Sequence, residues 1–300
     1  VGQINELLSK KGKLASDGRP IFGSYSCIEL VEDLMNIDKG IEIIPAHCWT
    51  PWFAIFGSMS GFDSVEECFE DKAKYIHALE TGMSSDPLMN WRLSRLDKFT
   101  LVSNSDLHSY WPWRIGREAN VFDLKEVTYE NVINAIRTRK NFLFTIEVDP
   151  GYGKYHYDGH RACNVCMSPA ESVKNKGICP KCGRKLTIGV AHRIEELADR
   201  KEGFMPKDAV PFKSLIPLSE IIAKLIGCAS LSTQKVWQEY YKLVREGKTE
   251  LDILLETPLD ELKKLTDGKI AEAIIANREG KIKIQPGYDG EYGYPVFSEK

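Results

Sequence analysis

FTLVSNSDLHS, from Phe99 to Ser109, decides how the first half of the chain is read. Phe99 to Val102 is a largely apolar run of strand length, as a buried parallel strand requires, and ionisable residues follow it at once. In an extended backbone, residues two apart face the same way, so Asp106 and His108 are expected to address one point beyond the strand's carboxyl end. IEII (Ile41 to Ile44) repeats the pattern and leads through Pro45 and Ala46 to His47, while the strand-like run YIHALE ends at Glu80. Chemistry in parallel α/β barrels gathers at the carboxyl-end face, so His47, Glu80, Asp106 and His108 are expected to converge there. Such a set of imidazoles and carboxylates suits zinc, manganese or iron, and a catalytic zinc, magnesium or manganese ion is expected to activate water and steady charge on a phosphoryl group. The helices fit the same architecture. Ser64 and Glu67 form a capping box before a helix expected to reach about Lys74, and Thr128 to Lys140 has helical spacing at Val132, Ile133 and Ile136. Residues 1–150 therefore read as an α/β domain.

After Asp149 and Pro150 the composition turns to Gly, Tyr and His, and two CxxC pairs follow. Cys163 with Cys166 and Cys179 with Cys182 are twelve residues apart, close to the spacing of four-cysteine structural zinc sites. A zinc ribbon over 151–195 is the expectation, with metal replacing a core that some forty residues cannot build. A redox CxxC needs only one pair. From 196 to 300 the chain reads as helical, with amphipathic stretches at Leu218 to Ile226, Val236 to Gly247, LDELKKL and KIAEAIIANREG, and with Gly247, Gly268 and Gly280 as stops. GKI and GYDG are faint signals of a DNA-gripping helical hairpin.

Composition bounds the function. A chain of 300 residues with 43% hydrophobic content buries a sizeable core in about two domains, and no apolar run approaches membrane-spanning length, since Ser214 to Ser232 is broken by Pro217, Glu220 and Lys224. The formal net charge of -3 excludes a globally basic protein. Between Lys154 and Arg193, however, eight cations face only Asp158 and Glu171, a formal +6 that leaves -9 for the remainder. Lys154, Arg161, Lys174, Lys176, Arg184 and Lys185, with Tyr155 and neighbouring aromatic residues, are therefore candidates to contact phosphates and exposed bases, against the plainer reading of a solvated surface. Cysteines spent on CxxC pairs fit a reducing compartment, so an intracellular, cytoplasmic protein is expected. VGQINELLSKKGK opens the chain without an initiator Met or the layout of a secretory signal, and reads as the continuation of a longer protein.

PAHCWTPWF around His47 and NSDLHS around Asp106 resemble the later metal-binding motifs of the PHP (polymerase and histidinol phosphatase) family. The ordered set PAHCWTPWF, ALETGMSSDP, SNSDLHSYWPWRIGRE and GYGKYHYDGHRAC with its ribbon is similar to the endonuclease Q family across essentially all of the chain. That resemblance implies a partial PHP-type distorted β/α barrel, a multinuclear metal site, and nicking of DNA on the 5′ side of deaminated bases such as uracil and hypoxanthine or at abasic sites. PHP domains begin with an HxH motif and a further Glu; this sequence contains no HxH, and that Glu has no identifiable counterpart.

Several residues carry two readings. Ser84, Ser85 and Asp86 either line a base pocket or form a plain turn before Pro87. His77 reads as a core histidine. Trp49, Trp52, Phe53, Trp111 and Trp113 either wall a flipped base or pack in the core. At the level of function, a lesion-specific endonuclease competes with a PHP-type small-molecule phosphatase, which has no use for a basic ribbon, and with a non-catalytic zinc-ribbon adaptor for nucleic acid, which the missing motifs favour.

Overall fold

Parallel pairing of two short, wholly buried strands, β1 (Ala78–Glu80) and β2 (Thr100–Val102), places Leu79 beside Leu101 and Glu80 beside Val102. The computed structural model describes residues 1–15, 22–59, 61–245 and 247–297, and the parts of the expected domains at 16–21, 60, 246 and 298–300 lie outside the described residues. The IEII run takes the expected place beside β1 but forms no continuous ladder: one parallel bridge joins Ile43 to Ile76, and Glu80 N–H donates to Pro45 O at 3.0 Å. Pro45 has no N–H to return, which stops the pairing.

A second sheet continues the barrel wall. β3 (Ala119–Phe122) runs antiparallel to β4 (Phe142–Glu147). After the ribbon hairpin of β5 (Asp158–His160) and β6 (Val165–Met167), β7 (Phe212–Ser214) returns to pair parallel with β4. Residues assigned by sequence to the helical tail thus complete a sheet of the first domain. Asn120 and Ser103 stitch the two sheets together: Ser103 N–H donates to Asn120 Oδ1 at 2.9 Å, and Ser103 Oγ donates to Ile146 O at 2.7 Å.

Helix Tyr129–Thr138 begins on the Thr128 cap, as its spacing predicts, and buries Ala135 and Ile136, the latter packed with Ala78, Val102 and Phe142. The helix after Ser64 is shorter than expected and spans only Val65–Phe69. Ser64 accepts from Glu67 N–H, but the Glu67 carboxylate reaches past the cap to Asp63 N–H at 2.8 Å, and Glu70 at φ 47° turns the chain out of the α-helix into 3-10 geometry. One-sided capping leaves the short helix little to propagate it.

The C-terminal region is helical, with Leu218–Leu225, Gln234–Leu243, Glu250–Leu255, Leu259–Leu265 and Gly268–Arg278 packed around Leu218, Ile221, Val236, Leu243, Ile253 and Ile274. Each such side chain contributes roughly 1.5–3 kcal/mol on burial. Ile146 of β4 belongs to the same core, so barrel and tail share one apolar contact surface. Gly268 opens the last of these helices instead of stopping its predecessor, because Asp267 accepts from Lys269 N–H at 2.8 Å as the cap. GYDG forms the turn of a β-hairpin, β8 (Lys283–Gln285) with β9 (Tyr294–Val296), and not part of a helical hairpin. No helix among the described residues is long and apolar enough to cross a membrane.

Candidate active site and metal centres

A cavity of about 570 Å³ opens at the carboxyl ends of β1 and β2, lined by His47, Asp106 and His108 together with Ser84, Arg114, Arg117, Lys154 and Tyr155. Both His47 (φ 31°) and Asp106 (φ 40°) hold left-handed backbone geometry. For residues with a Cβ that conformation is uncommon, and it clusters where the surrounding structure imposes a particular side-chain direction. Asp106 is therefore not on an extended backbone, and it faces the same cavity as His108 because the chain bends there.

The hydrogen bonds orient the imidazoles. Thr50 Oγ1 donates to Trp52 O at 3.0 Å, so it accepts from His47 Nδ1–H at 3.3 Å and leaves Nε2 as the lone-pair nitrogen. His108 Nδ1–H donates to Asp106 O at 3.0 Å, with the same consequence. Arg117 holds the loop from behind, with Nε and Nη2 both donating to Ser105 O at 3.1 and 2.8 Å. Burial lowers the pKa of its guanidinium from the ordinary arginine value. His47, Asp106 and His108 offer the donor types a divalent cation takes and line one cavity, but among the described residues only a group on the ribbon brings three or more such donors within 4.8 Å of one another.

Glu80 occupies a different position from the one its sequence suggests. It is 7% exposed and does not line the cavity. Its Oε2 accepts from His47 N–H at 2.6 Å and its Oε1 from Asn104 Nδ2 at 2.9 Å, so the carboxylate ties the His47 segment to the loop that carries Asp106. Of the two candidate serines, Ser84 lines the cavity, whereas Ser85 is fully buried: its Oγ donates to Thr81 O at 2.9 Å and accepts from Asn90 Nδ2 at 3.2 Å. Ser85 is thus unavailable to a substrate. Asp86 caps helix Pro87–Asn90 through Met89 N–H, the plainer of its two readings. His77 is half-exposed and pairs with Glu42 at 3.0 Å instead of sitting in the core. Trp49 is a core residue, fully buried and donating to Asn90 Oδ1 at 2.8 Å, while Trp52 packs edge-on against Tyr155 at 5.3 Å.

The ribbon carries its four cysteines on two hairpins, and the donors that approach one another within 4.8 Å are His160, Cys163, Cys179 and Cys182. Cys166 stands apart. It lies in β6 opposite Gly159, with Sγ 4.0 Å from Pro286 O, whereas His160 ends β5 with Nδ1 3.4 Å from Cys182 Sγ. His160-x-x-Cys163 has the same spacing as a CxxC, which is the signal in the sequence that a cysteine count passes over. Three thiols and an imidazole fit tetrahedral zinc as well as four thiols do.

The basic surface is smaller than the sequence count. Arg193 pairs with Asp63 at 2.5 Å and Glu196 at 3.2 Å, and Arg161 lies 3.8 Å from Glu291. Lys174, Lys176, Arg184 and Lys185 are exposed on the ribbon, outside the cavity.

The barrel sheets, the cavity at their carboxyl ends and the donor loops make this a PHP fold. Over 99% of its length the chain superposes on the crystal structure of PfuEndoQ, a lesion-specific endonuclease from Pyrococcus furiosus, with TM-score 0.86 and 32% identity, covering 72% of that chain. It matches equally an endonuclease Q complex with a 27-mer duplex substrate carrying an abasic lesion at the active site, with TM-score 0.87, 32% identity and 74% of that chain covered. The chain belongs to the endonuclease Q family. Residues 217–281 match the family described as the MJ0043 C-terminal domain. Among curated relatives, the uncharacterized protein MJ0043 of Methanocaldococcus jannaschii is 35% identical over 84% of this chain and 31% of its own length, and the uncharacterized protein YqxK of Bacillus subtilis is 30% identical over 88% and 64%. The chain thus spans less than two thirds of either curated relative.

Proposed function

We propose that this chain is part of a DNA-repair endonuclease that hydrolyses the phosphodiester 5′ to a deaminated base (uracil or hypoxanthine) or an abasic site. The observation that carries the reading is one cavity that presents His47, Asp106 and His108 beside three cations, Arg114, Arg117 and Lys154. Phosphate needs the cations, and the His47 and His108 imidazoles with the Asp106 carboxylate, lining the same cavity, are the ligands we assign to a zinc, magnesium or manganese ion. Such an ion supplies an acidified water and neutralises charge on the phosphoryl group. Arg114 and Lys154 orient the phosphate, Arg117 fixes the loop, and Glu80 positions His47 and Asn104. Ser84 and Tyr155 line the wall that faces the extruded residue. His160, Cys163, Cys179 and Cys182 hold a structural zinc, and the ribbon's exposed lysines and arginine contact the duplex backbone. The coverage of an endonuclease Q complex with abasic duplex supports DNA as the partner.

The test is nicking of duplexes with one uracil, one hypoxanthine or one abasic site by the full-length protein, with and without added divalent metal. Metal-dependent incision on the 5′ side of the lesion is expected. Release of phosphate from small phosphomonoesters without incision would transfer the site to the phosphatase class, and binding without either reaction would make the protein an adaptor.

A further inference from the structure

The loop that supplies Asp106 and His108 continues past the cavity into an aromatic column. Arg114 N–H and Ile115 N–H both donate to Trp111 O, at 2.8 and 3.1 Å, closing a tight turn. This turn sends Arg114 into the cavity and stacks Trp111 on Trp113 at 4.8 Å with 11° between the planes. Trp237, on helix Gln234–Leu243, completes the support at 5.6 Å from Trp111. Tyr110 lies on the outer end of the column, 5.7 Å from Trp111 and 19° from parallel, and is 79% exposed. A ring with one face covered keeps that exposure only if its other face is open.

Core packing does not explain such a ring. Its support is built from three tryptophans of two parts of the fold, and its neighbour Ser109 lines the cavity. Consecutive Cα atoms are about 3.8 Å apart and one DNA strand advances about 3.4 Å per nucleotide, so Tyr110 is within one or two nucleotide steps of a strand held in the cavity. Every base offers a π face, and the cations at the cavity select a nucleic acid over an apolar protein segment as the occupant.

We propose that the open face of Tyr110 is a stacking site for the nucleobase adjacent to the lesion, filling the place in the duplex stack that the extruded residue leaves. This rests on the reading of the cavity as the phosphodiester site. Stacking requires the ring and not the hydroxyl, and it releases no counterions. Tyr110 therefore sets affinity for the distorted duplex without changing its salt dependence.

The experiment compares wild type, Tyr110→Ala and Tyr110→Phe in the full-length protein, measuring Kd for a duplex with one abasic site over a series of salt concentrations, and single-turnover nicking. Tyr110→Ala should weaken binding on the order of 5- to 150-fold, the range seen when a base-stacking aromatic is removed, while the slope of log Kd against log salt is unchanged. Tyr110→Phe should bind as wild type does. Wild-type affinity and nicking in Tyr110→Ala overturn this inference alone, and so does an affinity loss accompanied by a shallower salt slope, which would belong to phosphate contacts. Equal loss in both variants assigns the effect to the hydroxyl and also overturns it. A wild-type protein that neither binds nor nicks the duplex overturns the functional reading as well.

Discussion

A Cβ placed on Gly82 would lie 2.7 Å from the Cβ of His47 and 2.9 Å from its Cα. Gly82 itself holds φ +63°, so the strand end after β1 and the left-handed turn at His47 approach each other as only a glycine permits. Gly82→Ala should cost about 1–2 kcal/mol for the backbone alone and push His47 off its wall of the cavity. For a chain of this size the melting temperature should fall by roughly 2–4 °C per kcal/mol. Incision should drop on the order of 100-fold, the scale of an ångström-sized misplacement. Circular dichroism melts and nicking rates check the two effects separately, and wild-type nicking would show that His47 does not need its present position.

Glu80→Gln tests the brace. The amide keeps the shape but presents N–H groups where two donors, His47 N–H and Asn104 Nδ2, now meet carboxylate oxygens. Flipping Asn104 only moves the conflict, since Asn120 Nδ2 donates to Asn104 Oδ1 at 3.0 Å. One unsatisfied buried donor costs about 1–3 kcal/mol, so incision should fall roughly 5- to 150-fold. DNA affinity should hold, because Glu80 lies outside the cavity. A loss of affinity with an intact rate would contradict the bracing role.

The ribbon's fourth donor can be decided by metal content. His160→Ala, Cys163→Ser, Cys179→Ser and Cys182→Ser should each lose zinc and lower the melting temperature, because metal binding supplies the folding energy there. Cys166→Ser should keep both. Zinc lost from Cys166→Ser but retained by His160→Ala would restore the four-cysteine site.

Periodicity and apolar runs revealed the barrel strands, because burial on both faces leaves its mark in local sequence. FTLV became β2 and Asp106 and His108 reached one cavity, although the extended geometry expected between them is replaced by a turn at Asp106. Non-local pairings left no such mark. Nothing near Phe212 announces that it returns to β4 from beyond the ribbon, and Glu80 reads as a ligand because its bonds to His47 N–H and Asn104 are invisible until the loops are placed. His160 was hidden among the tyrosines and histidines of GYGKYHYDGH, where an imidazole could equally have been a stacking group.

Buried acids set the direction of the pH dependence. Glu147 is fully buried, and desolvation lifts its carboxyl from 4.5 to about 8, while Glu220 rises to about 7 and Asp86 to about 6 for the same reason. Between the unfolded and folded values the native state binds the extra proton, so stability is greatest below the unfolded value and declines as pH rises toward the folded one. Each group in its window contributes about 1.4 kcal/mol per pH unit. Melting temperature should therefore fall from pH 5 to pH 8, and Glu147→Gln, which mimics the protonated acid between Thr81 and Thr145, should flatten the curve and melt higher at pH 8. A wild-type melting temperature that climbs over this range would refute the assignment.

The last prediction separates cations that can meet DNA from those the fold has already engaged. Lys174, Lys176, Arg184 and Lys185 are exposed on the ribbon, whereas Arg193 is largely covered and bound to Asp63 and Glu196. Counterions leave DNA only where a cation reaches a phosphate, so replacing the exposed set with Ala should reduce the slope of log affinity against log salt by about 0.9 for each phosphate no longer neutralised. Phosphate contacts carry no base information, and binding to damaged and undamaged duplex should weaken alike. Arg193→Ala should instead leave the slope unchanged and lower the melting temperature, since its guanidinium also donates to Phe56 O at 3.2 Å and holds helix Val190–Leu197 against the barrel. An unchanged slope in the quadruple variant would reduce the ribbon to a structural clip, and a loss confined to damaged DNA would place lesion reading on the ribbon itself.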